Sequence, residues 1–202
     1  MFKLILLVNF LILSLIYAES NSGEVKIRED FAATPPELPI TQKHVVNKNL
    51  TLKLHGDKEK IKKSHHANKK NDPHYVWSGR TQSLWALSLE LKEALPVKSK
   101  SLNLKWRTKQ SGGRVLYFIV QNEAGEWFIY NEGTATAKDW NESSFTFEPT
   151  KWSKLDIKSL KKGEKVTSLE LKGIKSIGFT DLQRGGASKA SSRVDWLELT
   201  LK

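Results

Sequence analysis

From Val45 onward, apolar side chains recur at every second position, and that period sets the fold class before any other feature. Leu50, Leu52 and Leu54 alternate with Thr51 and Lys53, and Leu87, Leu89 and Leu91 with Ser88 and Glu90. Leu102, Leu104 and Trp106 alternate with Asn103 and Lys105. Val115 to Val120 is an unbroken apolar run, and Trp127 to Tyr130 follows the turn sequence Asn122-Glu123-Ala124-Gly125, which predicts a hairpin. Phe145 and Phe147, then Leu155 and Ile157, then Ile174, Ile177 and Phe179 continue the series. In the last segment Val194 and Trp196 are expected on one face, with Asp195 and Leu197 on the other. No stretch carries the 3.6-residue period of a long amphipathic helix. About eight to ten short strands predict an all-β antiparallel β-sandwich or barrel. The absence of an internal repeat excludes a solenoid or propeller.

The rest of the chain divides around that body. Met1 to Ala18 has a positive start at Lys3, an apolar run from Leu4 to Ile16 and a small residue before Glu19, the pattern of a signal peptide. The run is shorter than the roughly 20 residues a spanning helix needs. Residues 1–18 are therefore expected to be removed on export to a periplasmic or extracellular location, with no transmembrane segment afterwards. Residues 19–44 contain Asn21-Ser22-Gly23, Thr34-Pro35-Pro36 and Pro39 with little apolar period, and read as a flexible leader outside the core. Residues 45–202 form the expected β-sandwich domain.

Composition narrows the chemistry. The 202 residues contain no cysteine, which excludes disulfides, thiolate metal sites and thiol catalysis. Lys and Arg number 33 against 22 Asp and Glu, and the net charge of +11 favours an acidic partner. There are seven tryptophans. All five histidines fall between His44 and His74. His65 and His66 are not in a metalloprotease spacing, and adjacent strand residues point to opposite faces, so they read as hydrogen-bonding residues of a binding loop or as solvated loop residues.

Three further segments supply candidate ligand contacts. Tyr75 and Trp77 share a face where rings can stack on a sugar, with Arg80 directly after the Ser78-Gly79 turn. Arg107 and Lys109 share a face opposite Trp106, with Gln110 and Arg114 following, a set able to grip carboxylate or sulfate. Asp181 and Arg193 flank the loop at Gly185-Gly186. Asp181 and Asp195 have the chemistry for a structural calcium ion, or for pairing with Arg184 and Arg193. No other cofactor is expected.

The glycine-rich loop followed by Arg193-Val194-Asp195-Trp196-Leu197-Glu198-Leu199 resembles the C-terminal end of galactose-binding-like jelly rolls, which include family 11 carbohydrate-binding modules. The segments Ser64-His65-His66, Tyr75-Val76-Trp77-Ser78-Gly79, Trp106-Arg107-Thr108-Lys109-Gln110 and Ile177-Gly178-Phe179-Thr180-Asp181-Leu182 are similar to uncharacterised exported proteins of planctomycete-type bacteria. The resemblance implies a jelly-roll β-sandwich and carbohydrate binding.

The expected function is a non-catalytic module for an acidic (uronate or sulfated) polysaccharide. An extracytoplasmic protein-interaction domain, with an envelope protein as partner, is the alternative. A polysaccharide lyase is a further one, for which Tyr75, His65, His66, Arg107 and Gln110 supply suitable groups. The Arg-Glu-Leu, Gln-His and Tyr-Phe-Lys motifs of jelly-roll alginate lyases do not occur in the chain. Nucleic acid is not an expected partner, because no binding motif for it appears.

Overall fold

The computed structural model describes residues 24–31, 34–97 and 101–201. The expected signal peptide, residues 1–18, lies outside them. The first strands are β1 (Glu24–Glu29), β2 (Leu50–Gly56), β3 (Lys62–Ser64), β4 (Tyr75–Trp77), β5 (Trp85–Pro96) and β6 (Leu102–Gln110). They are followed by β7 (Leu116–Asn122), β8 (Trp127–Thr134), β9 (Asn141–Thr146), β10 (Trp152–Asp156), β11 (Lys161–Lys165), β12 (Gly173–Thr180) and β13 (Ser192–Leu201). Two single-turn 3-10 helices, Gln42–His44 and Lys58–Lys60, are the helical elements among the described residues. None is long and apolar enough to cross a membrane.

Every strand pair is antiparallel, and the strands form two sheets. One runs β3-β4-β13-β6-β9, with β1 beside β4 on the same flank of β13. The other runs β11-β10-β8-β7-β12-β5-β2. The period-two residues face each other between the sheets. Leu87 and Leu89 from β5, Phe118 from β7, Phe179 from β12, Trp106 from β6 and Leu197 from β13 belong to one buried cluster. This is the expected all-β sandwich, its layers held together by apolar burial. Its largest members keep their polar atoms paired: the Trp106 indole donates to Thr134 Oγ1 at 2.9 Å, and that of Trp85 to Asp181 Oδ1 at 2.8 Å. The β7–β8 hairpin forms where its turn sequence predicts, with Gly125 at φ +86°, a value its lack of Cβ accommodates.

Two expectations change. The leader is not outside the core: β1 pairs with β13, and Ile27, Phe31 and Ile40 join the main buried cluster. Farther along, Glu37 bridges to Lys63 through a pair of backbone hydrogen bonds of 2.8 and 3.0 Å, so the segment edges β3. Prolines and irregular spacing hid these contacts from a periodicity reading. The second change lies in β13, where the register shifts between Val194 and Trp196. This β-bulge turns Leu197 inward in phase with Val194, and leaves Trp196 half-buried on the outer face between Arg28 and Lys105. A strict alternation had placed Trp196 with Val194.

The leader is clamped by one buried carboxylate. Glu29 accepts the backbone N–H groups of Phe31 at 2.6 Å, Val46 at 2.9 Å and Asn47 at 2.9 Å. Glu29→Ala strips three donors of their acceptor. The expected loss of stability is about 3 kcal/mol, read as a lower urea midpoint with an unchanged m-value.

Candidate functional site

Strand register places the candidate residues. On the outer face of the β3-β4-β13-β6 sheet, Lys62 lies opposite Trp77, Trp77 opposite Arg193, and Arg193 opposite Lys109. One cross-strand row thus carries three cations around an indole. In the next row Ser64 lies opposite Tyr75. The 65–73 loop, the Ser78–Arg80 turn and the segment around Trp140 rise around these rows and enclose a cleft of about 350 Å³.

The rings are held in place. Trp140 meets the Tyr75 ring edge-on, with centroids 5.2 Å apart at 63°. The Arg107 guanidinium stands 5.4 Å from the Trp140 centroid and is itself held by Asp195 at 2.6 Å. The Trp77 indole donates to Ser191 Oγ at 2.9 Å, and Lys62 Nζ lies 5.8 Å from its ring. A Cβ on Gly79 would fall 2.1 Å from that ring, so only glycine lets the turn lie against it.

The polar groups divide into paired and unpaired. Asp72 Oδ2 accepts the His66 backbone N–H at 2.7 Å and lies 3.0 Å from the ring Nδ1 of the same residue. The Tyr75 hydroxyl is 3.2 Å from that nitrogen. Burial raises the Tyr75 pKa, against the opposing effects of Ser64 and Arg193. Lys109 pairs with Asp139 at 3.1 Å, and Asp139 also accepts the Trp140 backbone N–H at 2.7 Å. Those two bonds lower the Asp139 pKa. Among the described residues, Lys62, Lys69, Arg80 and Arg193, which line the cleft, form none of the carboxylate ion pairs within 4.0 Å.

Of the residues singled out from sequence, the structure brings His66, Tyr75, Trp77, Arg80, Lys109 and Arg193 together in this cleft. The other four are elsewhere. His65 is not in the lining: it stacks on His74 at 4.0 Å, with its Nδ1 3.3 Å from the Pro73 carbonyl oxygen and 3.9 Å from Asp72 Oδ2. Arg107 stands behind Trp140 rather than in the lining. Gln110 is buried beside Thr108, on the inner face that its parity with Trp106 demands. Asp181 is an internal bracket, accepting Trp85, Ser192 Oγ and the Gln183 N–H, and paired with Arg114 at 3.0 Å. Burial raises the Asp181 pKa against the pull of Arg114. The partners of the two aspartates are thus Arg114 and Arg107, not Arg184 and Arg193. Among the described residues no group of three His, Asp or Glu side chains is placed to hold a metal.

Sequence reading missed Trp140, Lys62, Lys69 and Asp72. Trp140 lies in no alternating run, and that isolation was the available signal: a tryptophan without strand neighbours of its own has no inner face to join.

No family model and no curated protein matches the chain. Among solved structures it is similar to a family 11 carbohydrate-binding module of a cellulosomal cellulase of Clostridium thermocellum, at 17% identity, 85% coverage of this chain, 97% of that chain and a TM-score of 0.49. It is similar to a family 29 carbohydrate-binding module complexed with mannohexaose at 11% identity, with 82% and 92% coverage and a TM-score of 0.47. For TmCBM61 in complex with beta-1,4-galactotriose the values are 12%, 75%, 88% and 0.40.

Beneath the site, on the inner face of β3, Lys63 is fully buried and its Nζ has no hydrogen-bond partner among the described residues. Burial lowers its pKa from 10.5 to about 8, with Asp195 opposing. A lowered folded-state value means that the unfolded chain binds the proton more tightly. The penalty for keeping Lys63 charged is therefore full below pH 8 and vanishes above 10.5. Lys63→Met is expected to exceed the parent by about 2–3 kcal/mol at roughly neutral pH, with the gap closing as pH rises through that window. Chemical denaturation across that pH range measures it.

Proposed function

We propose that this cleft binds an acidic polysaccharide. The observation that carries the reading is the convergence of Lys62, Lys69, Arg80 and Arg193, each without an acidic partner among the described residues, on a cleft walled by Tyr75, Trp77 and Trp140. Sugar rings present apolar C–H faces that stack on the half-buried indoles of Trp77 and Trp140, behind which Tyr75 is buried as support, and uronate or sulfate groups supply the charge those cations lack. An extended polymer suits a cleft on a sheet face, since successive residues meet successive strands. The apolar run Leu4 to Ile16 supports a place of action outside the cytoplasm, where such polymers are found.

Titration of the protein with polygalacturonate, a sulfated glucan and a neutral glucan tests the reading. The two acidic polymers are expected to bind saturably and more weakly as salt rises, while the neutral one binds far less. Trp140→Ala is expected to weaken binding about tenfold, the scale of one aromatic contact. Arg193→Ala should flatten the salt dependence. Salt-independent binding of the neutral glucan, or no binding of any polymer, overturns the proposal.

A further inference from the structure

Among the described residues one carboxylate lines the cleft, and that carboxylate serves a histidine. Asp72 Oδ2 lies 3.0 Å from His66 Nδ1 and also accepts the His66 backbone N–H at 2.7 Å, which fixes the ring relative to the loop. A proton on Nδ1 shared with Asp72 leaves the lone pair on Nε2, the tautomer of an oriented base. His66 remains accessible, with 46% of its side chain exposed. Tyr75 offers the complementary group. Its hydroxyl stands 3.2 Å from the same Nδ1, its ring is pinned by Trp140, and burial keeps it a protonated phenol. Lys62, Arg80 and Arg193 line the same space.

We propose that the cleft does more than hold a uronate polymer: it cleaves one by β-elimination, with His66 as base and Tyr75 as acid. This rests on the binding reading above. The cations fix the uronate carboxylate and draw charge toward it, which makes the proton on the adjacent C5 removable. His66 Nε2 takes that proton. The electrons of the C5–H bond form the C4=C5 double bond, the C4–O4 bond breaks with its pair on O4, and the Tyr75 hydroxyl gives O4 its proton. The imidazolium then returns a proton to the Tyr75 oxygen across their hydrogen bond, and solvent restores the starting tautomer at the exposed ring. Water is not consumed and no oxidant is needed.

The same residues argue against hydrolysis. Cleavage by water between sugars ordinarily employs two carboxylates, and Asp72 is the sole acid among the described residues lining this cleft. They also narrow the substrate class. A sulfate ester has no acidic C–H made removable by conjugation with it, so the sulfated polymer of the binding experiment is a ligand here and not a substrate.

The test incubates the protein with polygalacturonate, alginate, a 1,4-linked glucuronan and hyaluronan. Ultraviolet absorbance of the C4=C5 double bond, new reducing ends and binding are followed together. At least one polymer is expected to yield unsaturated ends equal in number to the new reducing ends. Tyr75→Phe and His66→Gln should each lower that rate at least about a hundredfold while binding changes only a few-fold. The binding measurement doubles as the check that each variant is folded. Binding that Trp140→Ala weakens, with no unsaturated ends from any polymer, overturns the catalytic assignment and leaves the binding reading standing. Reducing ends without absorbance, or full activity in either variant, overturns it as well. Absence of binding to all four overturns the catalytic assignment, and the binding reading falls with it only if the sulfated glucan fails to bind as well.

Discussion

One extra residue in β13 governs how the outer sheet face is furnished. Without the register shift between Val194 and Trp196, Leu197, Leu199 and Leu201 would turn outward and the core would lose a whole strand face. With it, both ends of β13 point apolar side chains inward, and Asp195 remains free to grip Arg107. Arg107 supports Trp140, and Trp140 pins Tyr75. The chain of contacts runs from a backbone irregularity to the ring that walls the cleft. Burial of Asp195 raises its pKa, so the short bond to Arg107 is what keeps it a useful anchor.

Charge is distributed unevenly over the molecule. Away from the cleft, many lysines sit beside glutamates: Lys151 bridges Glu132 and Glu148, Lys105 meets Glu142, and Lys154 meets Glu164. Such exposed pairs add little stability, but they neutralise the local field. Around Trp77 only Lys109 is paired in this way, with Asp139, and among the described residues Lys62, Arg80 and Arg193 form no such pair. The excess positive charge visible in the composition is therefore in part a local property, concentrated where low-dielectric rings weaken its screening by water.

The strands were legible because one buried face imposes a period of two, and Tyr75 with Trp77 and Arg107 with Lys109 were placed correctly relative to each other for that reason. Parity alone would also have put Gln110 inward with Trp106; its nearness in sequence to Lys109 suggested otherwise. What periodicity does not reach lies in loops. His65 and His66 part company because β3 ends at Ser64, and the turns that follow bring the His66 ring to hydrogen-bond distance of Asp72 at 3.0 Å while the His65 ring stays 3.9 Å away, stacked on His74. Trp140 joins the site only through β9 pairing with β6, a long-range fact with no local signature. The leader is similar: β1, which carries Ile27, is held by a partner strand at the far end of the sequence, while Phe31 meets Phe179 and Ile40 bonds to the Ile61 carbonyl.

That partner strand has a consequence for how the molecule comes into being. β13 joins β1, β4 and β6, which do not otherwise pair with one another. Arg28 and Glu198, in contact across the finished sheet, are 170 positions apart. Until Ser192–Leu201 has been synthesised, the sheet consists of two fragments, β3 with β4 and β6 with β9, and an orphaned β1. The seven-stranded sheet can assemble earlier, but its apolar face then has no lid. Closure is thus a late, high-contact-order event, slow by the entropy of the loops it must gather. The outer face that carries the cleft is thus completed only when β13 docks, after the strands of the seven-stranded sheet are already able to pair.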